Sequence, residues 1–353
     1  MKRRDFFKNF SSLALMGALP SIARAKKNQA EYNWKMVTTW PKNFPGLGTG
    51  AQYLANTINK LSGGRIQVTV YGSGELVPAF EIFDAVSNGV AELGHGSAYY
   101  WKGKNDTFQF FSTVPFGMTA NEMNAWLYKG GGMALWEEAY KDFNLVPMAA
   151  GNTGVQMGGW FNKEINSLND LKGLKMRIPG LGGEVLKRAG GTPVNLPGGE
   201  LFTALKTGTI DATEWVSPYN DLAFGLHKAA KYYYYPGWHE PGTTLECFVN
   251  KDKYEELPED LKSILLGASK MANIDMLCEI ISKNNEALEV LKNKHQVDIR
   301  SYPEEVLNEL YEISTKVVKE LSLSSDFATI TGFIPSTGSQ GMLYPNPNFQ
   351  ISS

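Results

Sequence analysis

Three charged residues of this chain occupy positions suited to chemistry: Arg177 in LKMRIPG, Glu214 beside Trp215 in GTIDATEW, and Glu240 in YYYYPGWHEPG. Each ends a strand-like run or lies in a Gly/Pro-rich loop, where side chains can face a cleft. A guanidinium offers a planar fork that matches a carboxylate in two parallel hydrogen bonds and stays charged when a cleft closes around it. Carboxylates, together with amide and backbone carbonyls, are the ligands that a hard cation such as sodium or calcium prefers. One fixed cation and two fixed carboxylates therefore suit a small acid held with the help of a metal ion. Composition alone favours a plainer reading of the carboxylates, with Glu214 an ordinary strand residue and Glu240 a solvated loop charge; for Arg177 the alternative is a structural ion pair at a strand end.

Other chemistries find no support. Cys247 and Cys278 form no C-x-x-C pair, and His95, His227, His239 and His295 are scattered without zinc-like spacing. A disulfide between the cysteines is open, though two buried small hydrophobes are the favoured reading. His239 adjoins Glu240, but a single histidine with no nucleophile reads as a loop packing residue. The glycine clusters PGLGTG, PGLGGEV and LPGGE complete neither a P-loop nor a dinucleotide fingerprint, and read as tight turns and helix starts.

The first 25 residues are an address label. Arg3 and Arg4 precede Phe6 and Phe7, a modestly apolar run extends from Phe10 to Ile22, and Ala23-Arg24-Ala25 suits a peptidase. The pattern resembles a twin-arginine export signal, with an ordinary Sec signal as the alternative; either predicts export to the periplasm. Removal leaves 328 residues with a net charge near −6. That balance points to neither nucleic acid nor an anionic membrane surface. No later run approaches the ~20 apolar residues that a spanning helix needs.

The elements that must position these residues follow an α/β rhythm. YNWKMVTTW reads as a buried strand, NFPGLGTGAQYLANTINKLSGG as loop and helix, RIQVTVYG as a strand, PAFEIFDAVSNG as a helix and AELGHGS as a strand. This is the pattern of an open, largely parallel sheet. It restarts at VQMGGWF and runs through LKMRIPG, GGEVLKRAGG, TPVNLP, GGELFTALKTGT and IDATEWV. TTLECFVNK then reads as a strand returning to the first unit. The expected organisation is a first α/β domain over 31–154 plus about 245–257 and a second over 155–244, with paired connectors as hinges. Residues 258–353 read as a helical region packing across both. Pro258 opens a run to about Lys294, Pro303 opens a second helix, and GMLYPNPNFQISS reads as an extended arm. The four tyrosines Tyr232–Tyr235 are expected to alternate, two inward and two outward.

In order, these segments resemble the extracytoplasmic solute-binding subunits of TRAP transporters, the DctP-type receptors, over nearly the whole mature chain. The similarity is carried by GLKMRIPG, GGTPVNLPGGELFTALKTGTIDATEWVSPYND and AKYYYYPGWHEPG, and in the first half by WPKNFPGLGTGA, YGSGELVPAFEIFDAV and HGSAYYWKGK. The second and third segments look like the branch that binds 2-oxo acids and lactate through a bridging metal ion. The resemblance implies an α/β, two-domain periplasmic binding protein (a Venus flytrap) with long C-terminal helices, through which members of this branch form homodimers.

For the site, the resemblance implies that Arg177 clamps the ligand carboxylate. It places Glu214, Glu240, the side chain of Gln156 and the backbone carbonyl of Trp215 around sodium or calcium. The Trp215 ring would lie along the ligand's carbon chain and Asn220 would donate to a ligand oxygen. Tyr100 and Trp101 would form the first domain's side of the cleft, a core position being the open alternative for either aromatic. The expected partners are a small 2-oxo or 2-hydroxy monocarboxylate and the TRAP permease. The rival expectations are an exported, cofactor-bearing oxidoreductase and a ligand sensor for a signalling protein.

Overall fold

Along the strand Tyr32–Thr38, Trp34 and Met36 pack into one buried cluster and Val37 into another. A strand buried on both faces is the mark of a sheet covered by helices on either side. The computed structural model describes residues 30–324. The export segment at 1–25 and the tail from Gly341 lie outside the described residues.

The strands in chain order are β1 Tyr32–Thr38, β2 Ile66–Tyr71, β3 Leu93–Gly96, β4 Leu145–Asn152, β5 Gly159–Phe161 and β6 Lys175–Arg177. They continue as β7 Thr192–Val194, β8 Ala212–Thr213, β9 Tyr232–Tyr235, β10 Thr244–Asn250 and β11 Asp298–Ser301. The helices are α1 Leu47–Leu61, α2 Ile82–Ser87, α3 Ala120–Lys129, α4 Gly132–Tyr140 and α5 Gly180–Arg188. The rest are α6 Leu201–Thr207, α7 Pro218–Phe224, α8 Lys251–Glu255, α9 Glu259–Glu289 and α10 Glu304–Ser324.

Two sheets result, ordered β2-β1-β3-β10-β4 and β11-β9-β5-β8-β6-β7. β1 runs parallel to β2 and β3, whereas β10 inserts antiparallel between β3 and β4. Because β10 belongs to the first sheet, the chain leaves that lobe at 153–158 and returns at 236–243. The two crossings lie side by side. Thr153 N–H donates to the Thr243 carbonyl at 2.9 Å, Gln156 N–H to Glu240 O at 3.1 Å, and Gly237 N–H to Gln156 O at 3.0 Å.

α9 joins both lobes. Its 31 residues span about 46 Å. Leu261, Leu265, Ala268 and Ala272 pack with α1 under the first sheet. Met276 and Ile280 pack with Trp40, Phe44, Trp160 and Tyr233, beside the second. α10 buries Val306, Leu310 and Val317 on the opposite face of that sheet, against Phe161, Met176 and Tyr234.

Three expectations are corrected. The region read as helical from 258 contains β11, which pairs in parallel with β9. This polar edge strand is pinned by charge: Arg300 pairs with Glu164 and Asp298 at 2.8 Å and stacks over the Tyr232 ring. The four tyrosines do not divide two inward and two outward. Tyr232, Tyr233 and Tyr234 are all buried, because hydrophobic clusters cover both faces of β9, and only Tyr235 is exposed. Both cysteines are unpaired, Cys247 buried on β10 and Cys278 exposed on α9 rather than buried.

Candidate functional site

β6 and β8 are parallel neighbours, with Arg177 opposite Thr213. Their carboxyl ends therefore bring Arg177 and Glu214 together, at the edge where open α/β sheets place their clefts. Glu214 N–H donates to the Arg177 carbonyl at 3.1 Å. The Arg177 guanidinium, 1% exposed, forms an ion pair with the Glu214 carboxylate. Its Nε donates to the Leu196 carbonyl at 3.1 Å and its Nη2 to the Tyr100 hydroxyl, from the other lobe, at 3.2 Å. Burial works against the guanidinium's charge, but Glu214 and the tyrosine hydroxyls outweigh it and hold the group charged, above its ordinary value.

The second carboxylate arrives on the crossing at 236–243. Glu240 Oε2 accepts from Gln156 Nε2 at 2.8 Å and from the Thr243 hydroxyl at 2.5 Å. Burial first, then the charge of Glu214, push the Glu240 carboxyl up to about 7. His239 lies in the same group, its Nε2 3.4 Å from Glu214 Oε2. Its role as a mere loop packing residue is thereby corrected.

The donor set fits a cation. Glu214, His239 and Glu240 each offer one ligand atom within 4.8 Å of the others, and all three are buried. Gln156 Oε1 is buried with no hydrogen-bond partner among the described residues. Such an orphaned oxygen beside two carboxylates is costly unless something positive meets it.

Trp215 walls this group with aromatic surface. Its ring packs on Trp40, Phe44 and Phe224 at centroid distances of 6.2, 6.1 and 5.1 Å. The Arg177 guanidinium carbon lies 5.3 Å from its centre. Gly198, in LPGGE, makes room for the indole: a Cβ there would stand 2.4 Å from Trp215 Cη2. On the facing lobe, Tyr99 and Tyr100 stand at the cluster, and burial raises both hydroxyls above their ordinary value. Tyr99 presses against Gly180, whose φ of +59° and 3.2 Å clearance from Tyr99 Cβ suit glycine.

Two residues expected at the site are placed elsewhere. Trp101 is buried in the first lobe's core, donating from Nε1 to Glu246 at 2.6 Å. Asn220 donates from Nδ2 to the Pro45 carbonyl at 2.8 Å, tying α7 to the loop before α1. Arg177, Glu214, Glu240, Gln156, Trp215 and Tyr100 do converge. Tyr99 and His239 join them unforeseen. Their only signal in the chain was adjacency, Tyr99 to Tyr100 and His239 to Glu240.

Residues 36–324 match DctP, the bacterial extracellular solute-binding proteins of family 7. The chain belongs to this family. A monocarboxylate 2-oxoacid-binding periplasmic protein of Nostoc sp. is 42% identical over 325 residues, covering 91% of this chain and 89% of the relative. The TRAP periplasmic solute-binding protein of Pseudoalteromonas atlantica T6c, solved with bound sodium and pyruvate, superposes with a TM-score of 0.83. It is 44% identical, over 86% of this chain and 92% of that one. The Colwellia psychrerythraea protein, solved with bound calcium and pyruvate, gives 0.83 and 45% over 86% and 93%. This family 7 member is accordingly a TRAP solute receptor and not an enzyme, which sets aside the exported oxidoreductase. No helix among the described residues is long and apolar enough to cross a membrane.

Proposed function

We propose that this receptor is exported to the periplasm, captures a small 2-oxo or 2-hydroxy monocarboxylate such as pyruvate or lactate, and delivers it to the membrane permease. Arg177 binds the ligand carboxylate, and a metal ion bridges ligand and protein. The observation that carries this reading is the buried convergence of Arg177 with Glu214, Glu240 and the unpartnered Gln156 Oε1.

The charge balance favours an ion. With both carboxyls ionised, Arg177 leaves the buried group one negative charge in excess. A further carboxylate would double that excess in a medium where unpaired charge is expensive. Glu214, Glu240, Gln156 Oε1 and the Trp215 carbonyl would hold sodium or calcium, whose charge lets a ligand chelate with its carboxylate and 2-oxygen together. Arg177 orients that carboxylate through its fork, and Tyr100 and Tyr99 close the opposite side. The sodium and calcium found with pyruvate in the two similar structures support the same choice.

The homodimer is part of the proposal. Met271, Ile274, Cys278 and Ile281 lie along one face of α9 at heptad spacing, and the three apolar ones are 47%, 50% and 57% exposed. An exposed apolar seam of this period suits a second helix.

The reading is tested by titrating the unfolded-and-refolded mature protein with pyruvate, 2-oxobutyrate, lactate and succinate, before and after chelation in sodium-free buffer. Binding of the 2-oxo and 2-hydroxy acids in preference to succinate, lost with the ion, is the expected result. Metal-independent binding, or preference for succinate, would contradict it.

A further inference from the structure

We infer that the site also takes a borderline transition-metal ion, with Zn2+ as the type case, through the imidazole of His239 together with Glu214 and Glu240. The inference rests on the proposed reading of the two glutamates as metal ligands and adds a nitrogen to it.

The geometry brings three donor groups to one point. His239, Glu214 and Glu240 are all buried, with one ligand atom of each inside 4.8 Å of the others. His239 Nε2 stands 3.4 Å from Glu214 Oε2, long for a strong hydrogen bond. Two ligands placed tetrahedrally on zinc at ~2.1 Å each stand roughly 3.4 Å apart. Gln156 Oε1, buried without a hydrogen-bond partner among the described residues, adds an oxygen to the group.

Ligand chemistry then separates the ions. Sodium and calcium are hard and gain little from imidazole, so for them His239 is a neighbour of the site. Zinc and similar ions bind imidazole nitrogen well, and a set of one histidine and two carboxylates leaves a position open for a ligand oxygen. The same cleft would thus present its acid on either class of ion, the choice being set by His239.

The test uses the whole mature protein, freed of metal by chelation and titrated calorimetrically with ZnCl2 and with CaCl2. It is repeated on His239→Gln, whose amide nitrogen can still donate to Glu214 but offers no imidazole. Zn2+ should bind the natural protein at least tenfold more tightly than Ca2+, and this ratio should fall at least tenfold in the variant. A Zn2+/Ca2+ ratio unchanged by the substitution would overturn the inference. The visible spectrum of the Co2+-loaded natural protein gives a second readout that needs no variant. Intense bands of a low-coordinate, nitrogen-containing site support it, and the weak spectrum of a six-coordinate oxygen site overturns it. Calcium-dependent pyruvate binding in the same buffer separates the two levels. If it is present without zinc preference, only the role of His239 fails; if no metal binds, the bridging reading fails with it.

Discussion

Gln156 Nε2 and Glu240 Oε2 meet at 2.8 Å although they arrive on different crossings between the lobes, one leaving the first sheet and one returning to it. The two strands of connector are also hydrogen-bonded through their backbones. Two of the four proposed ligands of the ion, Gln156 and Glu240, therefore lie on the connectors between the lobes. An ion or ligand that holds these groups in one arrangement would favour one lobe geometry by its differential contacts, and so couple binding to closure.

Arg177→Lys should weaken pyruvate binding about 10- to 100-fold. Lysine keeps the charge and loses the fork, removing one charge-assisted hydrogen bond of ~1.5–3 kcal/mol. Calorimetric titration measures this, and unchanged affinity would take Arg177 out of the site.

Stability of the metal-free protein should fall as pH rises from 5 to 8. The Glu240 carboxyl, pushed up to about 7, holds its proton more tightly in the folded chain than in the unfolded one. Its contribution is complete below the unfolded value and is lost as pH rises through the folded one. Burial pushes Asp221 to about 7 and Glu246 to about 8, which adds in the same direction. Thermal melts across this range should show the decline, smaller in Glu240→Gln. Calcium must displace the same proton, so its affinity should rise with pH up to about 7.

Gly198→Ala should lower both melting temperature and pyruvate affinity. A Cβ 2.4 Å from Trp215 Cη2 cannot be accommodated without moving the indole. Overpacking of this kind costs about 1–3 kcal/mol. A variant with natural melting and binding would show that Trp215 is free to shift.

Ile274→Asp with Ile281→Asp should make the protein monomeric. Both residues lie on the exposed seam of α9, away from its buried face. Light scattering on a sizing column gives the mass directly, and a dimer that survives both charges uses another surface.

The residues that could be read ahead of the structure are those whose position follows from local pattern. Arg177 and Glu214 end strand-like runs, and register between β6 and β8 then sets them side by side. What stayed hidden depends on contacts far apart in sequence. His239 meets Glu214 only because the crossing at 236–243 folds over the ends of β6 and β8. The direct pairing of Arg177, expected to clamp the ligand, with Glu214, expected to hold the ion, is likewise a product of sheet register. Trp101 and Asn220 carry polar atoms that suit a cleft equally well, and which side of a turn each faces was decided by Glu246 and Pro45. β11 escaped notice because DIRS has no apolar alternation, its place being held by Arg300 and its acidic partners.

The bridge between ion and ligand is tested most directly by measuring calcium affinity with and without saturating pyruvate. Coupling free energies are reciprocal, so an ion that touches the ligand must be tightened by it as much as it tightens the ligand. Calcium affinity should rise at least tenfold when pyruvate is present. Equal calcium affinities in the two conditions would contradict it.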